Sequence, residues 1–347
     1  MTEQPAVSVI VLGWNGRQYV DPCLTSLLAQ DFDRPYEILF VDNGSTDGTA
    51  DLAERHAGVR VHRLDRNYGY CLGNNKGFEL AEADVVVFLN QDVVVHRRWL
   101  RELTAAVESD PAIKAGHANI IQSWYPEYAA KELEAPVDAA YTAELSPLGF
   151  VEYRQVPVAQ RVVDTLFLHG VSIILKRDVV DEIGGYVFDP DMFAYAEDMD
   201  LALRIRNAGY RTVVATGAVL YHDHTLQDQV SLRSFVKTVR IIRNRLLALW
   251  KCSSWPEFLA LAAVTLAGAP LNSSQFGLPL SKKLLYFLLL IPPTAAAALA
   301  TVAAMPQFAG RRRQTLAARR LPRGWLLRTL LFDRASLSRP APVATHA

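Results

Sequence analysis

Cysteine is scarce in this sequence: 347 residues contain three, at Cys23, Cys71 and Cys252. They form no C-x-x-C pair, which excludes a zinc ribbon or a disulfide framework and suits a reducing compartment. An excess of one charge is also missing, since 36 Lys and Arg balance 36 Asp and Glu. Broad electrostatic attraction to a polyanion is therefore excluded, and no nucleic-acid partner is expected. The opening Met1-Thr2-Glu3-Gln4-Pro5 has no basic stretch, so a cleaved secretory signal is not expected either. There is no internal repeat.

Apolar residues are what the chain has in quantity, and they are unevenly spread. Half the residues are hydrophobic, and the excess gathers beyond Phe258. Residues 258–281 and 284–307 contain no charged side chain. A bilayer span takes roughly twenty apolar residues, so the second stretch is long enough, although Pro292-Pro293 falls near its middle. Lys282-Lys283 and Arg311-Arg312-Arg313 flank it. Basic flanks on both sides suit helices lying in an anionic interface, or a hairpin with both ends cytoplasmic. Packing of the same helices on a catalytic domain is the alternative.

Ahead of this tail, residues 7–12, 37–41, 59–61 and 85–89 are short apolar runs separated by helical patterns over 19–30, after Asp47 and before Val85. Continuous apolar strands alternating with helices predict an α/β domain: a doubly wound, mostly parallel sheet with helices on both faces. Further strands are expected over 113–121, 166–175 and 211–215, with helices over 197–208 and 229–250. Residues 122–160 read as a long irregular loop. Ligands of such sheets sit at the carboxyl ends of the strands. Three polar clusters fall there: Gly13-Trp14-Asn15, Asp42-Asn43 and Asn90-Gln91-Asp92.

Each cluster has a bland and a chemical reading. Asp42 offers a carboxylate to a nucleobase imide or a sugar hydroxyl, but Asp, Asn, Ser and Gly are also the ordinary turn residues. Asp92 suits Mg²⁺ or Mn²⁺, hard cations that bridge carboxylates to phosphates, or it caps a turn. Glu197-Asp198-Met199-Asp200 places three carboxylates in four positions, more than a helix dipole needs. Asp198 is a candidate general base, and Glu197 or Asp200 can orient neighbours such as Arg204 at the helical spacing of four. In Tyr221-His222-Asp223-His224 the spacing is no zinc signature, and His222 is read as a supplementary ligand to a metal at Asp92.

Taken in order, these pieces resemble glycosyltransferase family 2, the inverting enzymes of the GT-A fold, and most closely its rhamnosyltransferase-like members. The resemblance runs from Val7-Ser8-Val9-Ile10-Val11 and Asn15 through Val41-Asp42-Asn43-Gly44-Ser45-Thr46-Asp47, Asn67-Tyr68-Gly69-Tyr70 with Asn75 and Gly77, and Leu89-Asn90-Gln91-Asp92. It continues with Gly170, Gly184-Gly185-Tyr186, Glu197-Asp198-Met199-Asp200-Leu201 with Arg204, His222 and Arg243-Asn244-Arg245. The resemblance implies that Asp42 contacts the donor base, and that Asn67, Gly69 and Asn75 shape the donor pocket. It implies that Asn90-Gln91-Asp92 stands for the family's Asp-x-Asp, with Asp92 and His222 holding Mg²⁺ or Mn²⁺ and Asn90 replacing the first Asp. Asp198 matches the family's catalytic base.

The expected organisation is a catalytic domain over residues 1–228, with a donor half (1–112) and an acceptor half (113–228). A helical membrane-associating region (229–334) and a disordered tail (335–347) follow. The expected partners are a nucleotide-diphosphate sugar, dTDP-rhamnose by resemblance, and a glycan or polyprenyl-linked acceptor. A membrane surface, met through residues 258–313 at the cytoplasmic face, completes the set. Two rivals remain at this point. A nucleotidyltransferase would carry a glycine-rich loop after the first strand, where this chain has Gly13-Trp14-Asn15-Gly16-Arg17. A non-catalytic sugar-nucleotide-binding or scaffold protein would lack Asp92 and Asp198, and both are present.

Overall fold

In the computed structural model, which describes residues 4–122, 139–145, 151–223, 232–270 and 280–331, the first half of the sheet is built from β1 (Val7–Gly13), β2 (Tyr36–Asp42), β3 (Val59–Arg63) and β4 (Val85–Asn90). They lie in the order β3-β2-β1-β4 and are all parallel. Val9, Val11, Ile38, Phe40, Val87 and Leu89 face one core, while Ile10, Leu39, Val41, Val86 and Phe88 face the other. Burial on both faces is why these strands read as unbroken apolar runs. Each such side chain contributes roughly 1.5–3 kcal/mol on leaving water. Helices α1 (Arg17–Leu28), α2 (Thr49–Ala53) and α3 (Gly69–Leu80) connect them. α1 buries Val20, Cys23, Leu24 and Leu27, the three-and-four spacing of an amphipathic helix.

The second half extends the same sheet with a change of direction. β10 (Ser172–Lys176) enters antiparallel between β4 and β6 (Ile113–Gln122). β6 pairs in parallel with β11 (Arg211–His222), which also carries β5 (Val93–Val95) and β9 (Val162–Asp164) antiparallel. Among the described residues the result is a nine-stranded sheet, parallel across β3-β2-β1-β4 and mixed beyond it. α4 (Trp99–Glu108) covers it from one side, while α5 (Val179–Glu182) and α6 (Glu197–Asn207) lie on the other.

Three expectations change in detail. Within the stretch read as an irregular loop, β7 (Ala139–Leu145) and β8 (Val151–Pro157) pair as an antiparallel hairpin, and β9 follows. The strand expected over 166–175 forms only from Ser172, because Leu166, Phe167 and Leu168 are buried in a turn instead. The strand expected to stop at Ala215 continues to His222, absorbing Thr216-Gly217 in a register shift between Ala215 and Val219.

The tail is helical: α7 (Leu232–Cys252), α8 (Trp255–Gly268), α9 (Leu280–Ala317) and α10 (Trp325–Leu331). A capping box closes the start of α8, with Ser254 and Glu257 satisfying each other's backbone N–H groups. α9 runs through Pro292, Pro293 and Pro306 without ending. It buries Ala297, Thr301, Ala304 and Phe308 along one face and leaves Leu299 74% and Val302 65% exposed on another. Arg312 lies 4.9 Å over Trp250, and Arg243 lies 5.7 Å from the Phe308 ring. α9 therefore runs alongside α7 in the same direction. Among the described residues, one helix, Phe287–Ala317, is long and apolar enough to cross a membrane.

Candidate active site

The register of the central strands sets Gly13 beside Asp42 and Leu12 beside Asn90, so the polar ends of β1, β2 and β4 open on one edge. Asp42 is 3% exposed; its Oδ2 accepts the Ser45 N–H at 3.1 Å, and its Oδ1 is buried with no partner. A buried carboxylate oxygen without a donor costs about 1–3 kcal/mol, so this atom is prepared for a donor supplied from outside. Asn43 fixes the next segment: its Nδ2 donates to Asn67 Oδ1 (3.2 Å) and the Gly69 carbonyl (3.1 Å), and its Oδ1 accepts from Tyr68 N (2.9 Å). Asn67 Oδ1 also accepts from Gly69 N at 2.7 Å. Gly69 has φ +78°, and a Cβ there would lie 2.6 Å from the Phe193 carbonyl oxygen, so only glycine fits.

Asn75 turns away from this edge. Its Nδ2 donates to the Phe188 carbonyl at 2.8 Å and its Oδ1 accepts from Phe188 N at 3.1 Å. The observed work of Asn75 is to tie α3 to the acceptor half. Gln91 links the ends of β4 and β1 by donating from Nε2 to the Trp14 carbonyl at 3.0 Å. Asn90 sits half-buried at the end of β4.

Asp92 and His222 are brought together across 130 residues of sequence by the pairing of β5 with the end of β11. His222 Nε2 is 3.5 Å from Asp92 Oδ1, and the Asp92 side chain is 30% exposed. Next to them, Asp223 N donates to the Asp92 carbonyl (3.0 Å) and Tyr19 O–H donates to Asp223 Oδ2 (2.7 Å). Among the described residues no group of three His, Cys, Asp or Glu side chains forms a complete cage. An oxygen and a nitrogen donor at an open edge, with the remaining positions left to phosphates and water, fit Mg²⁺ or Mn²⁺. His224 lies outside the described residues.

Asp198 stands at the start of α6, facing the buried turn before β10. Its Oδ1 accepts from Met199 N at 2.7 Å and its Oδ2 from Gly170 N at 3.1 Å. A Cβ at Gly170 would lie 3.4 Å from that same oxygen and 3.3 Å from Glu197 Oε1, so a side chain there would press lightly on both carboxylates. Burial lifts the Asp198 carboxyl above the ordinary carboxylate range, while the two N–H groups and the Arg245 charge hold the rise in check. Burial, then the Asp198 charge, pushes Glu197 up to about 8. A raised pKa in a carboxyl next to a second carboxyl is the usual tuning of an acid–base group.

Asp200 has the opposite fate only two residues on. Arg204 Nε lies 2.9 Å from its Oδ2 and Lys251 Nζ 2.7 Å from its Oδ1, with all three side chains fully buried. Burial opposes its charge, but Lys251 and Arg204 outweigh burial and keep it below the usual range. Lys251 also meets Asp189 (2.5 Å), and Arg311 of α9 meets both Asp189 (2.7 Å) and Asp191 (2.6 Å). Arg204 spends its remaining donors on the Tyr186 carbonyl (2.9 Å) and the Val187 carbonyl.

Sequence reasoning quoted Asn244 without giving it work. It is wholly buried, and its Nδ2 donates to the carbonyls of Met192 (2.9 Å), Ala194 (3.0 Å) and Tyr195 (3.0 Å). The turn it gathers is strained: Phe193, Tyr195 and Ala196 all have positive φ, between +62° and +74°. That turn delivers Glu197 and Asp198. An Asn among basic residues on a helix was the available signal, but nothing in it pointed to a turn some fifty residues away.

Three comparisons bear on this arrangement. The family model of glycosyl transferase family 2 matches residues 8–184, which takes in the donor-side residues and Gly170 and stops short of Asp198. The chain is 29% identical over 211 residues to an N-acetylglucosaminyl-diphospho-decaprenol L-rhamnosyltransferase of Mycobacterium tuberculosis, covering 55% of this chain and 67% of that one. It is 27% identical over 247 residues to a glucosyl-dolichyl phosphate glucuronosyltransferase of Haloferax volcanii, covering 66% and 74%. Among solved structures, GalNAc-T7 with UDP, GalNAc and Mn²⁺ superposes with a TM-score of 0.58 at 16% identity, over 80% of this chain and 52% of that longer one. At that identity the likeness concerns the fold, which is of GT-A type.

Proposed function

We propose that this chain, which belongs to glycosyltransferase family 2, moves a sugar from a nucleoside-diphosphate donor to a saccharide hydroxyl with inversion of configuration. The observation that carries the reading is the pair of carboxylate settings at one sheet edge: an unpartnered Asp42 oxygen with the Asp92–His222 pair on one side, and Asp198 on the other. Asp42 accepts a hydrogen bond from the donor nucleoside, and the Asn43–Asn67–Gly69 network shapes the pocket around it. Asp92 and His222 hold a Mg²⁺ or Mn²⁺ ion, which neutralises charge on the departing diphosphate. Asp198 takes the proton from the acceptor hydroxyl as its oxygen attacks the anomeric carbon from the face opposite the leaving group. The C–O bond to the acceptor forms as the C–O bond to the diphosphate breaks, and the proton stays on Asp198.

The two relatives are named for saccharides on decaprenol and on dolichyl phosphate. By analogy the acceptor here is a lipid-linked saccharide of envelope glycan synthesis and the donor dTDP-rhamnose. The exposed leucines of α9, among them Leu284, Leu285 and Leu288, support docking on the cytoplasmic face of a membrane. An interfacial helix is favoured over a spanning one, because Ala297, Thr301, Ala304 and Phe308 are packed on α7 and Arg311 is ion-paired to Asp189.

The deciding experiment screens purified protein against nucleotide sugars with Mn²⁺, Mg²⁺ or EDTA, reading donor hydrolysis and transfer to membrane extracts. Metal-dependent turnover of one donor, reduced at least about a hundredfold in Asp92→Ala, is the expected result. No turnover of any donor, even with membranes present, would overturn the reading.

A further inference from the structure

We propose that Lys237 and Arg240 of α7, with Phe193 and Tyr195 of the turn before α6, form an acceptor subsite that grips a saccharide through a phosphate group it carries. This rests on the transferase reading and deepens it by naming the chemistry of the acceptor. Lys237, Arg240 and Asn244 follow one another at spacings of three and four, so they share one face of α7. That face lies along the turn: Asn244 holds its carbonyls from beneath, Arg240 sits 4.6 Å from the centre of the Phe193 ring, and Lys237 sits 5.6 Å from that of Tyr195. Both rings are exposed, Phe193 by 40% and Tyr195 by 38%.

The two cations differ from the ion-paired cations that hold this part of the fold. Arg204, Lys251 and Arg311 are each paired with carboxylates. Among the described residues no carboxylate pairs with Lys237 or Arg240. Aromatic faces take the apolar face of a sugar ring, and unpaired guanidinium and ammonium groups take phosphate oxygens. The location suits an acceptor. Tyr195 precedes Asp198 by three residues, and the Phe193 carbonyl accepts from Cys71 N of donor-side α3 at 3.0 Å. The platform thus lies between the donor half and the base. A membrane headgroup carries the same phosphate chemistry, and exposed Phe235 and Val236 stand beside Lys237. The acceptor is favoured because both cations are stacked on the turn that leads into Asp198.

The test titrates glucose 1-phosphate and methyl glucoside into the full chain by saturation-transfer NMR, with EDTA present so that no metal bridges phosphate to the donor side. Wild type is expected to bind glucose 1-phosphate about tenfold more tightly than methyl glucoside. The K237Q/R240Q variant is expected to lose that preference at an unchanged melting temperature, and K237R/R240K to retain it. Equal binding of the two ligands by wild type, or a preference surviving in K237Q/R240Q, overturns the proposal. So does a K237Q/R240Q variant whose only loss is sedimentation with phosphatidylglycerol vesicles, which would assign the cations to headgroups. Donor hydrolysis by wild type is read in parallel with metal. If it is present while the phosphate preference is missing, the subsite falls and the transferase reading stands.

Discussion

The first half of the α/β domain and the half that follows it, proposed as donor and acceptor halves, treat their carboxylates in opposite ways. At the ends of β2 and β4, Asp42 keeps an oxygen without a partner and Asp92 is 30% open to solvent. In the acceptor half, Asp189 and Asp200 are wholly buried and compensated by Lys251, Arg204 and Arg311. Between these extremes stands Asp198, half-buried and held by N–H groups and by the field of Arg245. On the proposed function, the difference separates carboxylates that would meet a ligand from carboxylates that hold the fold. It also separates Asp198 from Asp200, which share one helical turn.

Exchanging those two for asparagine is the sharpest way to break the comparison. Asp198→Asn keeps one of the two backbone hydrogen bonds, from Met199 N or from Gly170 N, because its amide has a single acceptor oxygen; losing the other should weaken the fold only slightly. Transfer should fall about 10²–10⁴-fold, the usual worth of a general base. Asp200→Asn should act through stability, because it removes a charge from a buried network and leaves Lys251 and Arg204 short of compensation. Such losses cost about 3–5 kcal/mol. Steady-state rates and denaturant unfolding on both variants check this. A stable, active Asp200→Asn together with an unfolded Asp198→Asn would invert the assignment.

Asn244→Ala tests the same division one step further from the chemistry. The substitution leaves three carbonyls of a strained turn without their donor, at a cost of about 1–3 kcal/mol. If Asn244 positions Asp198, kcat should fall while KM for the donor stays near its wild-type value, since the donor half does not use the turn's carbonyls except at Cys71. A loss confined to melting temperature would make Asn244 a purely structural residue.

How much of this was legible beforehand follows the same line. The donor half was nearly complete in the sequence, because parallel strands buried on both faces announce themselves as apolar runs and their polar ends mark the ligand edge. Asp42 and Asp92 were singled out that way, whereas the pairing of Asp200 with Arg204, outside that half, was read from helical spacing and is seen as an ion pair. The acceptor half resisted because its decisive contacts are long-range. The continuation of β11 to His222 needed a register shift at Ala215–Val219, hidden behind Thr216-Gly217. The buried Leu166–Leu168 turn has the composition of a strand. Lys251 was not singled out and Arg311 read as part of a basic flank for an anionic interface, since nothing in the local spacing reveals partners fifty or more residues away.

The smallest expected effect belongs to Glu197, whose carboxyl is pushed from the ordinary 4.5 up to about 8, first by burial and then by the charge of Asp198. The folded state therefore keeps a proton that the unfolded chain has already released. With more protons bound in the folded state, stability falls as pH rises, beginning above the unfolded value and ending as pH passes about 8. Between pH 6 and 9 the loss should be on the order of 2 kcal/mol. Glu197→Gln imitates the protonated carboxyl at every pH, so its stability should be flat across that interval and match wild type near pH 6. Asp198 is raised for the same first reason, burial, but it must lose its proton to act. Transfer should therefore rise with pH in both proteins as Asp198 gives up its proton, while the loss of stability carried by Glu197 between pH 6 and 9 should be present in wild type alone. Denaturant midpoints at several pH values separate the two curves. A Glu197→Gln variant that still loses stability toward pH 9 would mean that another group carries the proton.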